Sequence, residues 1–363
     1  MSLLFGQTDL RATLPPEPCV PVARVDAGDP SAVADALPNF LGGGNLIYQE
    51  RPQSISWGWE TYTYQLQFRA GPDLPASLAG PLILRIYSSV NGVPRARHEF
   101  AVQERLHQVG FPVPKPLLLH TDCAPFGGPF LLMERIEGKT LCHQALAHPW
   151  QLWSVSARMA ELHACLHGLP IQGFPSTAGT FLQRRLDELR ELIASYGLHG
   201  LQPGLDWLSC HRPAPWRHAS VVHLDWHPLN LIQDAKGGVW ALDWPEADVG
   251  DPHADVAMTL LLLHFAPLAC RNRWEKLAVL LGRGWIAGHY RRAYSKRRTL
   301  DEPRLAYYRA WAILRRLAYY GRWLTGGPAS TGSKEAVLNY LEPSHLDDLT
   351  RAFRDQVGVV IHL

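Results

Sequence analysis

Three polar side chains in the segment VVHLDWHPLNLIQDAKGGVWALDW, residues 221–244, have the types and spacing to do chemistry together. Asn230 follows Asp225 by five positions, and Asp243 follows Asp225 by eighteen. A carboxylate can accept the proton of a hydroxyl group, while an amide oxygen and a second carboxylate can bind magnesium. The order and spacing match a catalytic loop that is followed by a metal-binding aspartate. The pattern predicts phosphoryl transfer, with Asp225 as the general base and Asn230 and Asp243 as ligands of Mg²⁺. The alternative is that both aspartates lie in ordinary surface turns.

The elements that must position these residues can be predicted from periodicity and turn residues. Segment 221–244 predicts two short apolar strands joined by a turn at Gly237-Gly238. An antiparallel meander is predicted from residue 54 onward through ISWGWETYTYQLQF and PLILRIYSS, with further strands at 116–120 and 129–136. Helical spacing predicts helices at residues 31–37, 94–109, 150–166, 180–196, 252–265, 272–294, 302–324 and 344–357.

The order of these elements predicts an α+β chain in two lobes. Residues 1–44 are predicted as an N-terminal extension, residues 45–138 as a small β-rich lobe, and residues 139–363 as a larger helical lobe. The chain has 363 residues, of which 47% are hydrophobic and 19% charged, values typical of an ordinary globular protein. Its net charge of +2 is too small to indicate a nucleic acid or an acidic membrane as partner.

The cysteines and the apolar stretches indicate in which cellular compartment the protein is expected. The six cysteines show neither CxxC nor zinc-site spacing, as expected in a reducing compartment. The N-terminus lacks the pattern of a signal peptide, and the longest apolar stretch, within residues 256–269, is too short to span a bilayer. We therefore expect a cytoplasmic protein that has no membrane partner. The oligomeric state does not follow from the sequence.

The motifs HLDWHPLN and LDWPEADVGDP connect these predictions to a known family. The chain resembles, over roughly residues 45–325, the aminoglycoside phosphotransferase and choline kinase-like group of small-molecule kinases. His223, Asp225, Asn230, the pair Asp243-Trp244 and the downstream GDP at 250–252 occupy the positions of the family motif. The resemblance implies a two-lobed protein-kinase-like fold, ATP (or GTP) and Mg²⁺ as cofactors, and a hydroxyl acceptor such as an aminoglycoside, another antibiotic or a metabolite. It also implies that His223 braces the catalytic loop and that Trp244 packs beneath the site.

The resemblance also implies a nucleotide site in the N-terminal lobe. Gly58, in the turn 56–62, corresponds to the phosphate-covering loop, although a plain β-turn is the alternative. Arg85 stands where the kinase pattern has a phosphate-binding lysine, and the alternative is an arginine that faces solvent. Glu99 is the predicted partner of Arg85, in preference to Glu104.

The segment PFLLMERIEG resembles the hinge between the lobes of a kinase. The backbone near Glu134 and Ile136 would pair with the adenine edge, Met133 would border the base, and Gly138 would let the chain swivel. An edge strand is the alternative. Downstream, Asp251 and Asp255 are expected to cap the following helix or to hold the catalytic loop by hydrogen bonds.

Two rival functions use the same residues. His223, Asp225 and His227 form an H-x-D-x-H strip that, with Asp243, could bind zinc or iron in a hydrolase. A non-catalytic, kinase-like nucleotide-binding module is the other rival, because the chain has one glycine in the phosphate loop and arginine in place of lysine.

The charge of the acceptor stays open. Asp187, Glu188, Asp206 and Glu246 would suit an amino-sugar, whereas the arginine-rich stretch 291–322 would suit an anion or simply form a solvated helix face. An aromatic cage for a quaternary ammonium group is a further alternative for some of the thirteen tryptophans, although helical spacing favours core packing for Trp285 and Trp311. His163 is expected to be a satisfied packing residue.

Overall fold

The computed structural model describes residues 25–41, 46–55, 61–72, 74–87, 92–122, 126–175, 179–265, 273–325 and 343–363. Its N-terminal part is a five-stranded antiparallel sheet in the order β1-β2-β3-β5-β4, with one helix on each face. The elements are α1 (Pro30–Phe40), β1 (Tyr48–Ser54), β2 (Thr61–Phe68), β3 (Pro81–Tyr87), α2 (Gly92–Gln108), β4 (Pro116–His120) and β5 (Phe130–Glu134).

Alternation along β3, PLILRIY, separates the two faces of this sheet. Leu82, Leu84 and Ile86 are buried in a core that also contains residues of α1. The intervening side chains point to the opposite face, where Tyr87 packs with Ala96 of α2. Strand periodicity therefore turns the side chain of Arg85 toward α2 and the helical C-terminal lobe.

The rest of the chain is mostly helical. Its helices are α3 (Leu141–Ala147), α4 (Leu152–Leu166), α5 (Phe181–Ser195), α6 (Gln202–Cys210), α7 (Pro252–Phe265), α8 (Arg273–Ser295), α9 (Glu302–Leu324) and α10 (Pro343–Val357). Every residue of α7 from Pro252 to Leu263 is buried, because α7 is apolar all round and packs between α8 and α9. None of the described helices is both long enough and apolar enough to cross a membrane.

Short strands position the segment 221–244. They are β6 (Lys139–Thr140), β7 (Ser220–Val222), β8 (Leu231–Gln233), β9 (Val239–Ala241) and β10 (Asp248–Gly250). The predicted hairpin with its turn at Gly237 is formed by β8 and β9. The prediction of only two strands was incomplete, because β7 pairs with β10, which follows Asp243. Hairpin β8-β9 and strand pair β7-β10 thus flank the loops that carry the polar residues.

The α+β prediction is confirmed, with differences in detail. β1 begins at Tyr48, ahead of the predicted start of the meander, because YQERPQS is a polar edge strand with a proline and shows no apolar alternation. Helices α3 and α6 were not predicted. Trp311 is buried as expected, but Trp285 is 42% exposed and lies beside Trp153, with 5.1 Å between the ring centroids and the two rings tilted by 47°.

Candidate active site

The loop that carries Asp225 is held in a strained conformation by a buried carboxylate. Leu224 has φ of +62°, a left-handed backbone that is rare for a bulky residue. Asp255, in the first turn of α7, is fully buried and accepts hydrogen bonds from the backbone N–H groups of His223 and Leu224, the latter at 2.8 Å. Backbone strain of this kind persists where surrounding contacts over-determine it. Asp255 therefore fixes the approach to Asp225, one of the two roles expected from the sequence.

His163 of α4 and His167, the residue that follows the last residue of α4, surround the same carboxylate. The Nε2 atoms of His163 and His167 lie 3.0 and 3.2 Å from Asp255 Oδ2, and their Nδ1 atoms lie 2.6 Å from the hydroxyls of Tyr290 and Tyr294. Tyrosine O–H groups donate to Nδ1, so each ring carries its proton on Nε2, facing Asp255. Burial, together with His163, lowers the pKa of His167 to about 4, which keeps that ring neutral. Burial alone would raise the pKa of Asp255, but His163 and His167 hold it well below its usual range.

Among the described residues, His163, His167 and Asp255 are the one group of three or more His, Cys, Asp or Glu side chains close enough together to hold a metal ion. Both Nδ1 atoms, Nε2 of His167 and both oxygens of the aspartate are already in hydrogen bonds, and Nε2 of His163 faces the same aspartate oxygen at 3.0 Å. The cluster is therefore a support for the catalytic loop. Sequence reasoning overlooked His167, although its spacing of four residues from His163 on one helix was a usable signal.

His223 is buried, and both of its ring nitrogens are engaged. Nε2–H donates to the carbonyl of Leu242 at 2.9 Å, and Nδ1 accepts the backbone N–H of Asp225 at 3.2 Å. Burial lowers the pKa of His223, so the ring is neutral and can make both bonds. It braces the loop and has no lone pair left for a metal. This geometry argues against the H-x-D-x-H metal site, because His223 cannot join Asp225 and His227 in binding zinc or iron.

Asp225 and Asn230 are in direct contact. The side-chain amide of Asn230 donates to the carboxylate and to the backbone carbonyl of Asp225, both at 3.0 Å, and His227 Nε2 lies 3.4 Å from the same carboxylate oxygen. Because Nδ2 of Asn230 is used in this way, Oδ1 is its remaining acceptor. Burial would raise the pKa of Asp225, but His227, His223 and Arg316 hold it well below the ordinary value. The side chain is 33% exposed, so an ionised carboxylate is accessible at the surface of the loop.

Asp243 follows β9 with φ of +67°, the second strained non-glycine residue in the described part of the chain. Its neighbour Leu242 donates a backbone hydrogen bond of 2.9 Å to the carbonyl of Asn230, which ties the two loops together. Trp244 is fully buried and packs against Phe111 and His223, with ring centroids 6.0 and 4.5 Å apart. The aspartate is thereby presented above a rigid aromatic base, as the resemblance implied for Trp244.

Arg85 joins the N-terminal sheet to this site. Its guanidinium forms an ion pair with Glu99 of α2 through Nη1 and with Asp243 through Nη2, the latter at 2.6 Å. Glu99 is fully buried and also accepts a hydrogen bond from Tyr87, whereas Glu104 is exposed. Burial opposes the charge of Arg85, but Asp243 and Glu99 raise its pKa well above the ordinary value. Arg85 is thus an internal bridge, and the alternative of a solvent-facing arginine does not describe it.

Helix α2 makes two further contacts with the loop after Asp243. His98 Nε2 lies 2.7 Å from the carbonyl of Ala247, and Arg95 lies 3.6 Å from Glu246. Together with the path from Glu99 through Arg85 to Asp243, these contacts place one face of α2 against the loop that follows β9.

The predicted hinge follows β5. Glu134 is exposed at the end of the strand and its N–H donates to Lys115, while Met133 is buried and Ile136 is half-buried. Gly138 has no left-handed φ, and a side chain there would collide with the backbone of Gln233 in β8. The glycine is therefore required by the close packing of this connection against β8, and the swivel stays a prediction. Gly58 lies outside the described residues.

The residues that the structure brings together suit a divalent cation. Asn230 Oδ1 and the carboxylate of Asp243 are hard oxygen donors of the kind that Mg²⁺ prefers. The backbone bond from Leu242 to Asn230 holds them near each other. Asp243 is also paired with Arg85, so a cation at this carboxylate would join an existing electrostatic network.

The chain is similar in sequence to part of several longer curated proteins. Acyl-CoA dehydrogenase family member 11 of Homo sapiens is 27% identical over 210 residues, which cover 53% of this chain and 27% of that protein. The chain spans between 22% and 29% of the length of the curated relatives that it matches, so the dehydrogenase in their names is not carried over to it.

Two solved structures share the fold. A thermostable mutant of aminoglycoside phosphotransferase APH(4)-Ia, in ternary complex with AMP-PNP and hygromycin B, is 17% identical with a TM-score of 0.58, covering 85% of this chain and 98% of the other. Amicoumacin kinase hAmiN, in complex with AMP-PNP, Ca²⁺ and Ami, is 19% identical with a TM-score of 0.56, covering 88% and 95%. At these identities the likeness establishes the two-lobed, kinase-like α+β fold.

The family model described as the phosphotransferase enzyme family matches residues 52–300, which include both motifs and every residue of the site described above. This match covers more than half of the chain and agrees with the fold, and the chain belongs to the phosphotransferase enzyme family.

Proposed function

We propose that this phosphotransferase transfers the γ-phosphate of ATP, with Mg²⁺, to a hydroxyl group of a small molecule. The observation that carries the proposal is the convergence of two loops and strand β3 on one place. Asn230 contacts Asp225 at 3.0 Å, Leu242 ties Asn230 to the strand end before Asp243, and Arg85 reaches Asp243 at 2.6 Å. The carboxylates of Asp225 and Asp243 and the guanidinium of Arg85 thus lie together where the nucleotide and the acceptor would meet.

Asp225 is the proposed general base. Its carboxylate is accessible and its depressed pKa keeps it ionised, so it can accept the proton of the acceptor hydroxyl as the oxygen attacks phosphorus. The Nδ2 group of Asn230 orients this carboxylate, which leaves the base in one rotamer. The loop strain at Leu224 is supported from below by Asp255, so the base does not have to be ordered during the reaction.

Asn230 and Asp243 are the proposed magnesium ligands, and Arg85 is the proposed contact for the phosphates. A bound Mg²⁺ would neutralise the charge that develops on the transferred group. Arg85 is oriented by Glu99 and Thr61, and its planar fork suits phosphate oxygens. The backbone near Glu134 and Ile136 is the proposed contact for the adenine edge. Gly58 stays a prediction for the phosphate loop.

Calorimetry of nucleotide binding tests the proposal directly. Titration of ATP with and without Mg²⁺ should give tight binding only with the metal, and Asp243→Asn should weaken the metal-dependent component by at least tenfold. GTP titrated in parallel decides between the two nucleotides. The matched control is Asp348→Asn, an exposed aspartate of α10 that pairs with Arg351, and this variant should bind ATP as the wild type does. Absence of ATP binding to the wild type rejects the proposal.

Turnover separates an enzyme from a nucleotide-binding module. Release of ADP in the presence of Mg²⁺ and a hydroxyl compound is expected from the enzyme, and Asp225→Asn should abolish it while ATP still binds. A protein that binds ATP with magnesium but never releases ADP, with any acceptor, is the module.

A further inference from the structure

Three tryptophans that the proposed reaction does not use are exposed on the helical lobe. Trp150, in the turn before α4, is 75% exposed, and Trp153, in the first turn of α4, is 58% exposed. Trp285 of α8 lies beside Trp153, and Leu146 in the last turn of α3 is 59% exposed. The other described tryptophans are buried or half-buried. We name the side chains of Leu146, Trp150, Trp153 and Trp285 the tryptophan patch.

The packing of α4 against α8 holds Trp153 and Trp285 in place. His289, one turn after Trp285 on α8, stacks on that indole with 5.4 Å between the ring centroids, and its ring centre lies 4.0 Å from that of Trp153. Nδ1 of His289 lies 2.6 Å from the hydroxyl of Ser156 in α4. These rings are therefore fixed on the protein side, while a large part of their apolar surface faces water. Contiguous exposed apolar groups of this kind mark a surface that contacts another molecule.

Two cations continue the exposed stripe of α8 beyond the indole. Arg292 and Lys296 lie seven and eleven residues after Trp285, so the three side chains follow one face of the helix. The helical turn extends to Lys296, whose backbone N–H donates to the carbonyl of Arg292 at 3.2 Å. Both cations are exposed, and no carboxylate of the described residues lies within ion-pair distance of either. They are therefore available to an anionic partner.

The local charge on this side of the lobe is positive. Residues 282–298 contain six arginines and lysines and no aspartate or glutamate. Residues 141–166, which include α3 and α4, add one arginine and one glutamate, and their charges cancel. Arg291 is paired with Glu302, and Arg297 with Glu161 of α4, but a positive excess remains on the exposed stripe. The net charge of +2 describes the whole chain and does not display this local excess.

A bilayer that contains anionic lipids matches both parts of this surface. Indole rings favour the boundary between water and hydrocarbon, because the ring is apolar while its N–H can still form a hydrogen bond. Arginine and lysine beside such rings attract anionic headgroups. A side chain as exposed as Trp150 projects from the surface and can enter a fluid headgroup layer, whereas a protein partner would need a pocket shaped to receive it.

We propose that the tryptophan patch, together with Arg292 and Lys296, docks the protein on the surface of an anionic lipid bilayer. The indoles enter the headgroup region, and the two cations contact the headgroup phosphates. The expectation of no membrane partner came from the net charge and from the lack of a spanning segment, and neither bears on peripheral contact by side chains. The inference does not depend on the proposed phosphotransfer.

Flotation with vesicles tests the proposal. Vesicles of phosphatidylcholine with about one third phosphatidylglycerol should carry the wild type up a density gradient, and vesicles of phosphatidylcholine alone should carry about tenfold less. Raising NaCl from about 0.1 M to about 1 M should weaken the binding to anionic vesicles, because salt screens the attraction of the headgroups for the cations. A wild type that does not float with anionic vesicles at low salt overturns the proposal.

The apolar contact is tested by the double variant Trp150→Gln with Trp153→Gln. Its partition onto anionic vesicles should fall about tenfold or more, because two indoles no longer leave water. The matched control is Ile47→Gln with Val360→Gln, which removes two similarly exposed apolar side chains outside the patch and should float as the wild type does. Equal flotation of the tryptophan variant and the control overturns the assignment of the patch.

The electrostatic contact is tested by Arg292→Gln with Lys296→Gln. This variant should lose about tenfold or more of its binding to anionic vesicles and should no longer distinguish them from neutral ones. Arg351→Gln with Arg354→Gln, two exposed arginines of α10, is the matched control, and circular dichroism checks that every variant is folded. Retention of the preference for anionic vesicles in the Arg292 and Lys296 variant overturns the role of these cations.

A second copy of the chain is the competing occupant of the patch. Light scattering at rising protein concentration, without lipid, measures self-association. We expect the wild type and the Trp150→Gln, Trp153→Gln variant to have the same mass at every concentration. Association of the wild type that this variant abolishes would assign the patch to an interface between copies and overturn the lipid proposal.

Discussion

The two sides of the candidate site are held in place by different forces. Below the catalytic loop, Asp255, His163 and His167 form a fully buried hydrogen-bond cluster whose partners are the backbone and tyrosine hydroxyls. On the nucleotide side, Arg85 and Asp243 form an ion pair that is partly exposed, with side-chain exposures of 14% and 34%. A buried network permits one arrangement, whereas an ion pair at a surface can exchange its partners. For the proposed reaction, this difference predicts that the base, Asp225, is preorganised and that the phosphate and metal contacts form on binding.

The largest effect should follow the loss of the base. Asp225→Asn keeps the shape of the side chain, so we expect kcat to fall about 1000-fold with the thermal midpoint nearly unchanged. Initial rates of ADP release at saturating ATP and acceptor measure the fall. Unfolding of the variant would contradict this division, because Asp225 would then be needed for the stability of the fold, as Asp255 is, and not for catalysis.

The buried cluster should respond in the opposite way. Asp255→Asn leaves two backbone N–H groups and two histidine N–H groups competing for one oxygen, so the free energy of unfolding should fall by about 3 kcal/mol. Urea unfolding followed by circular dichroism measures the change. Asp206→Asn, exposed on α6, is the matched control and should stay within about 0.5 kcal/mol of the wild type. A loss below about 1 kcal/mol would contradict the support that we assign to Asp255.

Variants of Arg85 distinguish its proposed role in ATP binding from its role in the stability of the fold. Arg85→Gln should raise the KM for ATP about tenfold and also destabilise the fold, because Glu99 is left buried without its cation. The double variant Arg85→Gln with Glu99→Gln should recover most of the stability, since the uncompensated charge is gone, while its KM for ATP stays high. Urea unfolding and ATP titration on the same samples test this. Recovery of both properties would mean that Arg85 acts only through Glu99.

The smallest effect is a pH dependence of stability from His167. Its pKa is about 4 in the folded chain, below the ordinary 6.5, because burial and His163 disfavour its charge. The unfolded chain therefore takes up the proton first as the pH falls, and the stabilisation is complete above about pH 6.5 and is lost toward pH 4. The wild type should lose about 1–2 kcal/mol more than His167→Gln between pH 7 and pH 5. His107→Gln, an exposed histidine of α2, should keep the pH dependence of the wild type.

Local pattern was sufficient to predict most of the elements and the polar residues of the site. The bounds of α5, α7, α9 and α10 are within about one residue of the periodicity, because amphipathic spacing and helix caps are short-range features. Alternation in β3 places Arg85 on the face of the sheet opposite the apolar one, and α2, the next element along the chain, supplies Glu99. These are relations between residues near in sequence, which a single chain displays.

What escaped prediction depends on contacts distant in sequence. The pairing of β7 with β10, the contacts of Asp255 with His163 and His167, and the packing of Gly138 against Gln233 each join residues far apart along the chain. The availability of Glu246 and Glu188 could not be judged from sequence either, because both look free until Arg315 and Arg185 are placed beside them. Charge counts along a chain do not tell which charges are already paired.

Helix α2 touches both halves of the proposed reaction. Arg95 and Glu99 are one turn apart. Arg95 meets Glu246, one of the carboxylates considered for the acceptor, and Glu99 holds Arg85, which meets Asp243. A shift of α2 as a rigid body therefore alters the Arg95–Glu246 and Glu99–Arg85 contacts together. By thermodynamic linkage, an acceptor that moves α2 changes the affinity for the metal-nucleotide by some factor, and the nucleotide must change the affinity for the acceptor by that same factor. The two substrates are then expected to bind cooperatively.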